Sequence, residues 1–194
     1  MTDTDTDAGL IARARRGDDE AFRLLVVRYE PVVAATVIGM LGRGDDADDV
    51  GQETFIRFHR ALDSFREEST LKTYLVRIAM NLSLNALKSR RRGALRFISR
   101  DQAETPVPDA AVPAVALDDG DERRSMVRRA VAMLGPRHQP VVVLRLLQDL
   151  TTKETAQALG IPEGTVLSRL SRAMQELKVT LAPYMRSGAI TEDR

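Results

Sequence analysis

Apolar residues recur at helical spacing along most of this chain. Phe22, Leu25, Tyr29 and Val33 form one series, Phe55, Phe58, Leu62 and Phe65 a second, and Leu71, Leu75, Ile78 and Leu82 a third. Steps of three and four residues put each series on one side of a helix. Gly17-Asp18 reads as a helix stop followed by an N-cap, and Pro31 is expected to kink or end the helix that contains it. Helical spacing resumes through Val127, Val131 and Leu134. The stretch "PVVVLRLL" (140–147) favours a strand locally, but its neighbours are helical and no partner strand is visible, so it is assigned to a helix. No internal repeat is found.

The pattern dissolves between about residues 92 and 120. There "DQAETPVPDAAVPAVALDDG" offers three prolines and small or acidic residues, too few large apolar side chains to bury a core. The expected fold class is therefore all-α: two small helical domains, 9–92 and 121–186, joined by a flexible acidic linker over 93–120. Residues 1–8 are expected to be a disordered N-terminus and 187–194 a tail.

Composition narrows the function. Hydrophobic residues make up 43% and charged residues 29% of the 194, a globular balance. No run of about 18 apolar residues is seen, so no membrane insertion is expected. The start, MTDTDTDAGL, is acidic and has no secretory pattern. The absence of cysteine excludes disulfides and thiolate metal sites and fits a cytoplasmic protein. His59 and His138 have no partners at ligand spacing, so neither a metal nor a cofactor is expected.

The net charge of +1 hides segregation along the chain. Residues 101–122 carry seven acidic residues and no Lys or Arg, whereas residues 123–186 carry eleven basic residues against four acidic ones. A further six basic residues lie in 88–100. Two basic blocks separated by an acidic one suggest contact with a polyanion at two places.

The second basic block contains "LTTKETAQALGIPEGTVLSRLSRAMQ", which has the form of a helix-turn-helix. Thr151 or Thr152 can cap a short helix, Gly160 supplies the turn, and Pro162 suits the first position of the next helix. Val166, Leu170, Ala173 and Leu177 then face inward. Thr165, Ser168, Arg169 and Arg172 are left outward near the N-terminal half, the part of a recognition helix that enters a major groove. Arg can pair bidentately with guanine, and Thr or Ser can bond a base edge or a phosphate. A plain antiparallel helix pair would show similar spacing, but not the concentration of positive charge.

In the first domain, Asp45, Asp46, Asp48, Asp49 and Glu53 crowd the start of an amphipathic helix. The helix dipole accounts for one or two of them. A calcium loop fails because Ile56 stands at its twelfth position. The cluster reads as a docking surface for a basic protein partner. Further on, Thr73, Arg77, Asn81, Asn85 and Lys88 form a stripe at near-regular spacing on a helix whose opposite side is apolar. Asn is a poor choice for a solvated helix face, yet it offers donors and acceptors to base edges. Tyr74 is either a half-buried packing residue or a stacking platform for an unpaired base. Phe65 is either core or, from its place beside a loop, a wall for an extruded base.

Taken in order, "DDVGQETF", "STLKTYLVRIAMNLSLNALKSRRR" and "LTTKETAQALGIPEGTVLSRLSRA" resemble the bacterial RNA polymerase sigma factors of the extracytoplasmic-function (ECF) group, over about residues 8–186. The resemblance implies a region 2 domain that binds polymerase core and the −10 element, and a region 4 domain whose helix-turn-helix reads the −35 element. It places core binding, to the β′ and β subunits, on Asp48, Asp49, Gln52, Glu53 and Phe55. It places −10 reading on the loop from Phe65 through Arg66 and Ser69 to Thr70, and on Asn81 and Asn85. Asn at both of these positions looks closest to the envelope-stress branch. An anti-sigma partner is also implied. Leu167 stands where the family usually has Lys or Arg, which replaces a polar −35 contact with an apolar one suited to a thymine methyl.

The resemblance makes the chain a transcription initiation factor, not an enzyme, and the residues agree: no nucleophile–base set, phosphate-cradling loop or ligand cluster is present. A stand-alone helix-turn-helix regulator would explain the second domain but neither the Asn stripe nor the acidic helix. A helical adaptor protein would leave both basic blocks as solvated faces.

Overall fold

The computed structural model describes residues 6–66, 69–98 and 122–186, and every regular element among them is helical. The first domain contains α1 (Asp7–Ala14), α2 (Asp19–Leu41), α3 (Asp45–Arg60), a single 3-10 turn (Leu62–Ser64) and α4 (Leu71–Ile98). The second contains α5 (Glu122–Ala132), α6 (Gln139–Val142) running into a π-helical turn (Val143–Leu147), α7 (Thr152–Leu159) and α8 (Glu163–Arg186). α4 therefore continues past residue 92. Most of the expected linker, the far N-terminus and the tail lie outside the described residues.

Local chemistry explains where the helices begin. Asp18 caps α2 by accepting from the Ala21 N–H at 3.1 Å. That backbone bond first, and the Arg13 guanidinium second, hold its carboxyl below the usual carboxylate range. At α7, Thr151 Oγ1 accepts from the Glu154 N–H while the Glu154 carboxylate accepts from the Thr151 N–H, a reciprocal capping box. α7 then ends on Gly160 in the left-handed conformation (φ +63°), which a residue without Cβ adopts most readily. Pro162 sits one position before α8 rather than inside it.

Two expectations need correction. α2 does not end at Pro31, which lies within it. Pro31 and Val27, whose carbonyl loses its partner, both lie on the exposed side, where water can take over that hydrogen bond. In addition, α2 is long and apolar enough by composition to cross a membrane, so such a stretch is present after all. Its apolar residues have a different use here: Leu25, Val33 and Val37 are buried among α1, α3 and α4.

The first core is centred on Phe58, which is fully buried. Its ring stacks on Phe22 at 5.9 Å and meets the edges of Phe65 and Tyr74 at 6.1 and 6.2 Å. Leu10 and Ile11 of α1 close the cluster. α1 is also fastened by Tyr29, whose hydroxyl donates to Asp7, and by Arg28, which pairs with Asp7 at 2.7 Å. Burial and then the Asp7 bond push the Tyr29 phenol upward, so it stays protonated.

A second core joins the two domains. Met40 of α2 and Val76 and Met80 of α4 pack with Val131 and Leu134, with Val142, Val143 and Leu144, and with Ala173 and Leu177 of α8. The tethered domains expected from sequence are thus packed directly together.

Two glycines in helices should respond to alanine in opposite ways. Gly51, inside α3, has open space where a Cβ would go, so Gly51→Ala should stabilise by roughly 0.5–1 kcal/mol. Gly160→Ala forces a Cβ into the left-handed conformation and should destabilise by about 1 kcal/mol. Thermal melts should move up for the first and down for the second.

Candidate nucleic-acid interface

α4 presents three sides, and the side chains sort cleanly among them. Leu71, Leu75 and Ala79 enter the first core, while Val76 and Met80 enter the second. Arg77, Asn81, Asn85 and Lys88 remain exposed on the side left over. The structure thus keeps four members of the sequence stripe together. The fifth, Thr73, is only 9% exposed. Its hydroxyl lies 2.9 Å from Thr70 Oγ1 and donates to Glu154 Oε1 of α7 at 2.9 Å.

The loop before α4 carries Arg66 and Thr70 exposed and Ser69 half-buried. Phe65 differs from them: at 7% exposure its ring belongs to the first core, 4.8 Å from Tyr74. Two backbone carbonyls here, those of Leu62 and Phe65, accept from the Arg15 guanidinium, which holds the turn against the end of α1. Tyr74 is half-buried, and the Arg77 guanidinium lies 5.3 Å from its ring centroid. Ser64, Phe65, Arg66, Ser69, Tyr74 and Arg77 line a cleft whose far wall is Gln157 of α7.

On the recognition helix α8, Val166 and Ala173 are fully buried, and Leu177 nearly so. Ser168 and Arg172 are exposed, and Thr165 and Arg169 half-buried, on the side away from that core. Leu167 stands among them at 55% exposure, a large apolar side chain held out in solvent. Ser168 Oγ donates to the Thr165 carbonyl at 3.1 Å.

On α3, Asp48, Asp49 and Gln52 are exposed. Glu53 is half-buried and accepts from Arg57 at 2.7 Å, and Phe55 is half-buried against the first core. Asp46 pairs with Arg90 of α4. The acidic patch therefore keeps two carboxylates and an amide open to a partner. Among the described residues no group of three or more His, Cys, Asp or Glu is placed to hold a metal ion.

Sequence reasoning did not place Glu154 or Gln157 at the first domain's edge. Glu154 was visible only as a first-turn acid, and no local signal could show that its second oxygen reaches another domain. The Thr151 N–H, then the Thr151 hydroxyl, and less strongly Thr73, hold its carboxyl below the usual range.

The chain matches two families of DNA-reading transcription domains, Sigma-70 region 2 over residues 25–93 and Sigma-70, region 4 over residues 124–177. It is 36% identical over 191 residues to the ECF RNA polymerase sigma-E factors of Salmonella typhimurium and Escherichia coli K12, covering 96% of this chain and all of theirs. It is 31% identical to the RNA polymerase sigma-H factor of Pseudomonas aeruginosa, over 96% of this chain and 99% of that one. Among solved structures it is similar to the sigma factor RpoE of Bartonella quintana, seen in complex with the anti-sigma factor NepR. That likeness has a TM-score of 0.64 and 25% identity, over 83% of this chain and 96% of the other. CnrH, in complex with the cytosolic domain of CnrY, shares the fold at a TM-score of 0.63 and 24% identity, over 90% and 96%. The chain belongs to the ECF group of RNA polymerase sigma factors. It binds polymerase core and directs promoter-specific transcription initiation.

The lowered Glu154 carboxyl has a pH signature. Its stabilising contribution is present above the usual carboxylate pKa of about 4.3 and is lost as pH falls through the lower folded value. Glu154→Gln should therefore melt below the parent at neutral pH, and the gap should narrow as the solution is acidified toward about pH 3. A gap that widens in acid would assign the stability to other groups.

Proposed function

We propose that the open side of α4 reads the melted −10 strand, that the exposed side of α8 reads the −35 duplex, and that the acidic start of α3 docks on polymerase core. The observation that supports this best is the sorting of α4. Two of its sides are fully used in packing, yet the third carries Asn81 and Asn85 between Arg77 and Lys88, all exposed. Neither core needs those residue types, and Asn is weak in helices. Amides that can bond base edges, flanked by cations that can bond phosphates, suit a splayed single strand. Arg66, Ser69, Thr70, Thr73 and Tyr74 extend the same edge, and Phe65 supports it from beneath.

On α8, Arg169 and Arg172 offer bidentate contacts to guanine, Thr165 and Ser168 contact bases or phosphate, and Leu167 meets a thymine methyl. On α3, Asp48, Asp49, Gln52 and Glu53, with Phe55 partly buried beneath, form the docking face for the β′ subunit. The second domain contacts β. Holding two weak readers on one chain raises the effective concentration of each at a single promoter.

The chain acts in the cytoplasm as a non-catalytic factor without a cofactor. Its kinship with sigma-E factors supports a stress or envelope response. The NepR complex of a relative supports an anti-sigma protein as its regulator.

Two experiments separate these roles. Asp49→Lys with Glu53→Lys should abolish core binding while changing stability by only about 0.5 kcal/mol, since exposed charges contribute little to folding. Normal core affinity in that folded variant would remove the docking assignment.

Arg169→Ala and Arg172→Ala should each weaken −35 binding by about 1–3 kcal/mol. Asn81→Ala and Asn85→Ala should spare duplex −35 binding yet impair opening, read by permanganate reactivity of the −10 region beside run-off transcription. Normal opening of the duplex by the Asn variants would make the stripe a solvated face.

A further inference from the structure

The packing between the two domains is built in detail. Gln139, buried at the start of α6, donates from Nε2 to the carbonyls of Gly39 and Met40 at 2.9 and 3.2 Å. Those carbonyls belong to the last turn of α2, where no intrahelical donor remains for them. A residue of the second domain thus caps a helix of the first. Beside it, Gly39 leaves room for the π-helical turn: a Cβ there would lie 3.1 Å from Val143 Cγ2 and 3.3 Å from Leu147 Cδ1. Only a residue with no side chain allows this approach. Val76, Met80, Val142 and Val143 lose nearly all their solvent contact in the shared core. At its far end Thr73 donates to Glu154, and Gln157 walls the cleft over Tyr74 and Arg77.

We infer that this packing is an autoinhibited resting state, in which the second domain is the occupant of the α2/α4 face and α7 covers the upper part of the −10 reading edge. The inference rests on the −10 assignment made above. Thr73 cannot offer its hydroxyl to DNA while Glu154 holds it, and a strand cannot lie across Tyr74 and Arg77 with Gln157 opposite. Asp48, Asp49 and Gln52 stay exposed in the same state, as do Leu167, Ser168 and Arg172. Core can therefore grip α3 before the domains part. Opening uncovers apolar side chains on both faces, so polymerase must offer surfaces that receive them. Free chain is thereby kept from engaging single-stranded DNA, with no second protein required.

The absence of native cysteine allows a direct lock on the full chain. Gly39→Cys with Val143→Cys places two thiols across the interface. Mild oxidation should join them, and run-off transcription by the oxidised factor with core should fall at least tenfold, returning to the parent level on reduction. Failure of the disulfide to form would show that these faces do not meet in solution, and full activity of the oxidised factor would show that they need not part. Either result overturns the inference. A second variant covers an inactive reduced form. Gly39→Leu, a wedge at the same contact, should keep the helical content, speed amide exchange over residues 139–147, and initiate at or above the parent rate. Unchanged exchange or slower initiation overturns the closed state. The alanine variants of Asn81 and Asn85 test the −10 assignment separately, since neither residue belongs to the shared core.

Discussion

One helix bears most of this structure. Successive residues of α4 point about 100° apart, so a shift of a single position moves a side chain from one side to the next. Leu75 and Ala79 face the first core, Val76 and Met80 the second, and Arg77 and Asn81 the solvent. The apolar surface must be buried twice over, and the polar third must stay open to be of any use. Each domain therefore constrains the other through a shared element. A charged substitution at Met80 would strand that charge in the shared core, whereas one at Asn81 would leave both cores intact.

This arrangement explains the odd features of α2 as well. Its composition is apolar enough for a membrane because it, too, is covered from two directions, by α1, α3 and α4 along most of its length and by the π-helical turn near its end. The proline within it is tolerated because it falls on the remaining open side. Gly39 lies at the closest approach of the two domains, and the carbonyls it and Met40 leave unpaired are those that Gln139 takes up. A π-helical turn at that point shifts the following residues relative to a regular α-helix, which is a frequent mark of a functional site.

The functional surfaces divide by how they are supported. α8 and α3 display their polar faces on helices whose opposite sides are firmly packed, so those faces are ready before any partner arrives. The −10 edge is different, because its upper part is shared with α7. Its readiness is a matter of equilibrium between domains, and any ligand that favours the separated state shifts that equilibrium only by its preference for it.

Much of this was legible in the residues themselves. Helical spacing gave the helices, Asp18 and Thr151 their starts, Gly160 the turn, and the outward Thr165, Ser168 and Arg172 the recognition face. Phe65 could be left open between core and DNA, and the structure places its ring in the core. These features are local, decided within a turn or two of chain. What covers an apolar face is not local. Periodicity marks the side of α2 and of α4 that must be buried, but it does not say that α6 and its π-helical turn will bury it. Nor could it show that the second oxygen of a capping glutamate would reach Thr73, or that Pro31 would fall where water can replace its lost bond. Those outcomes depend on which surfaces meet in three dimensions, and only the packed chain decides that.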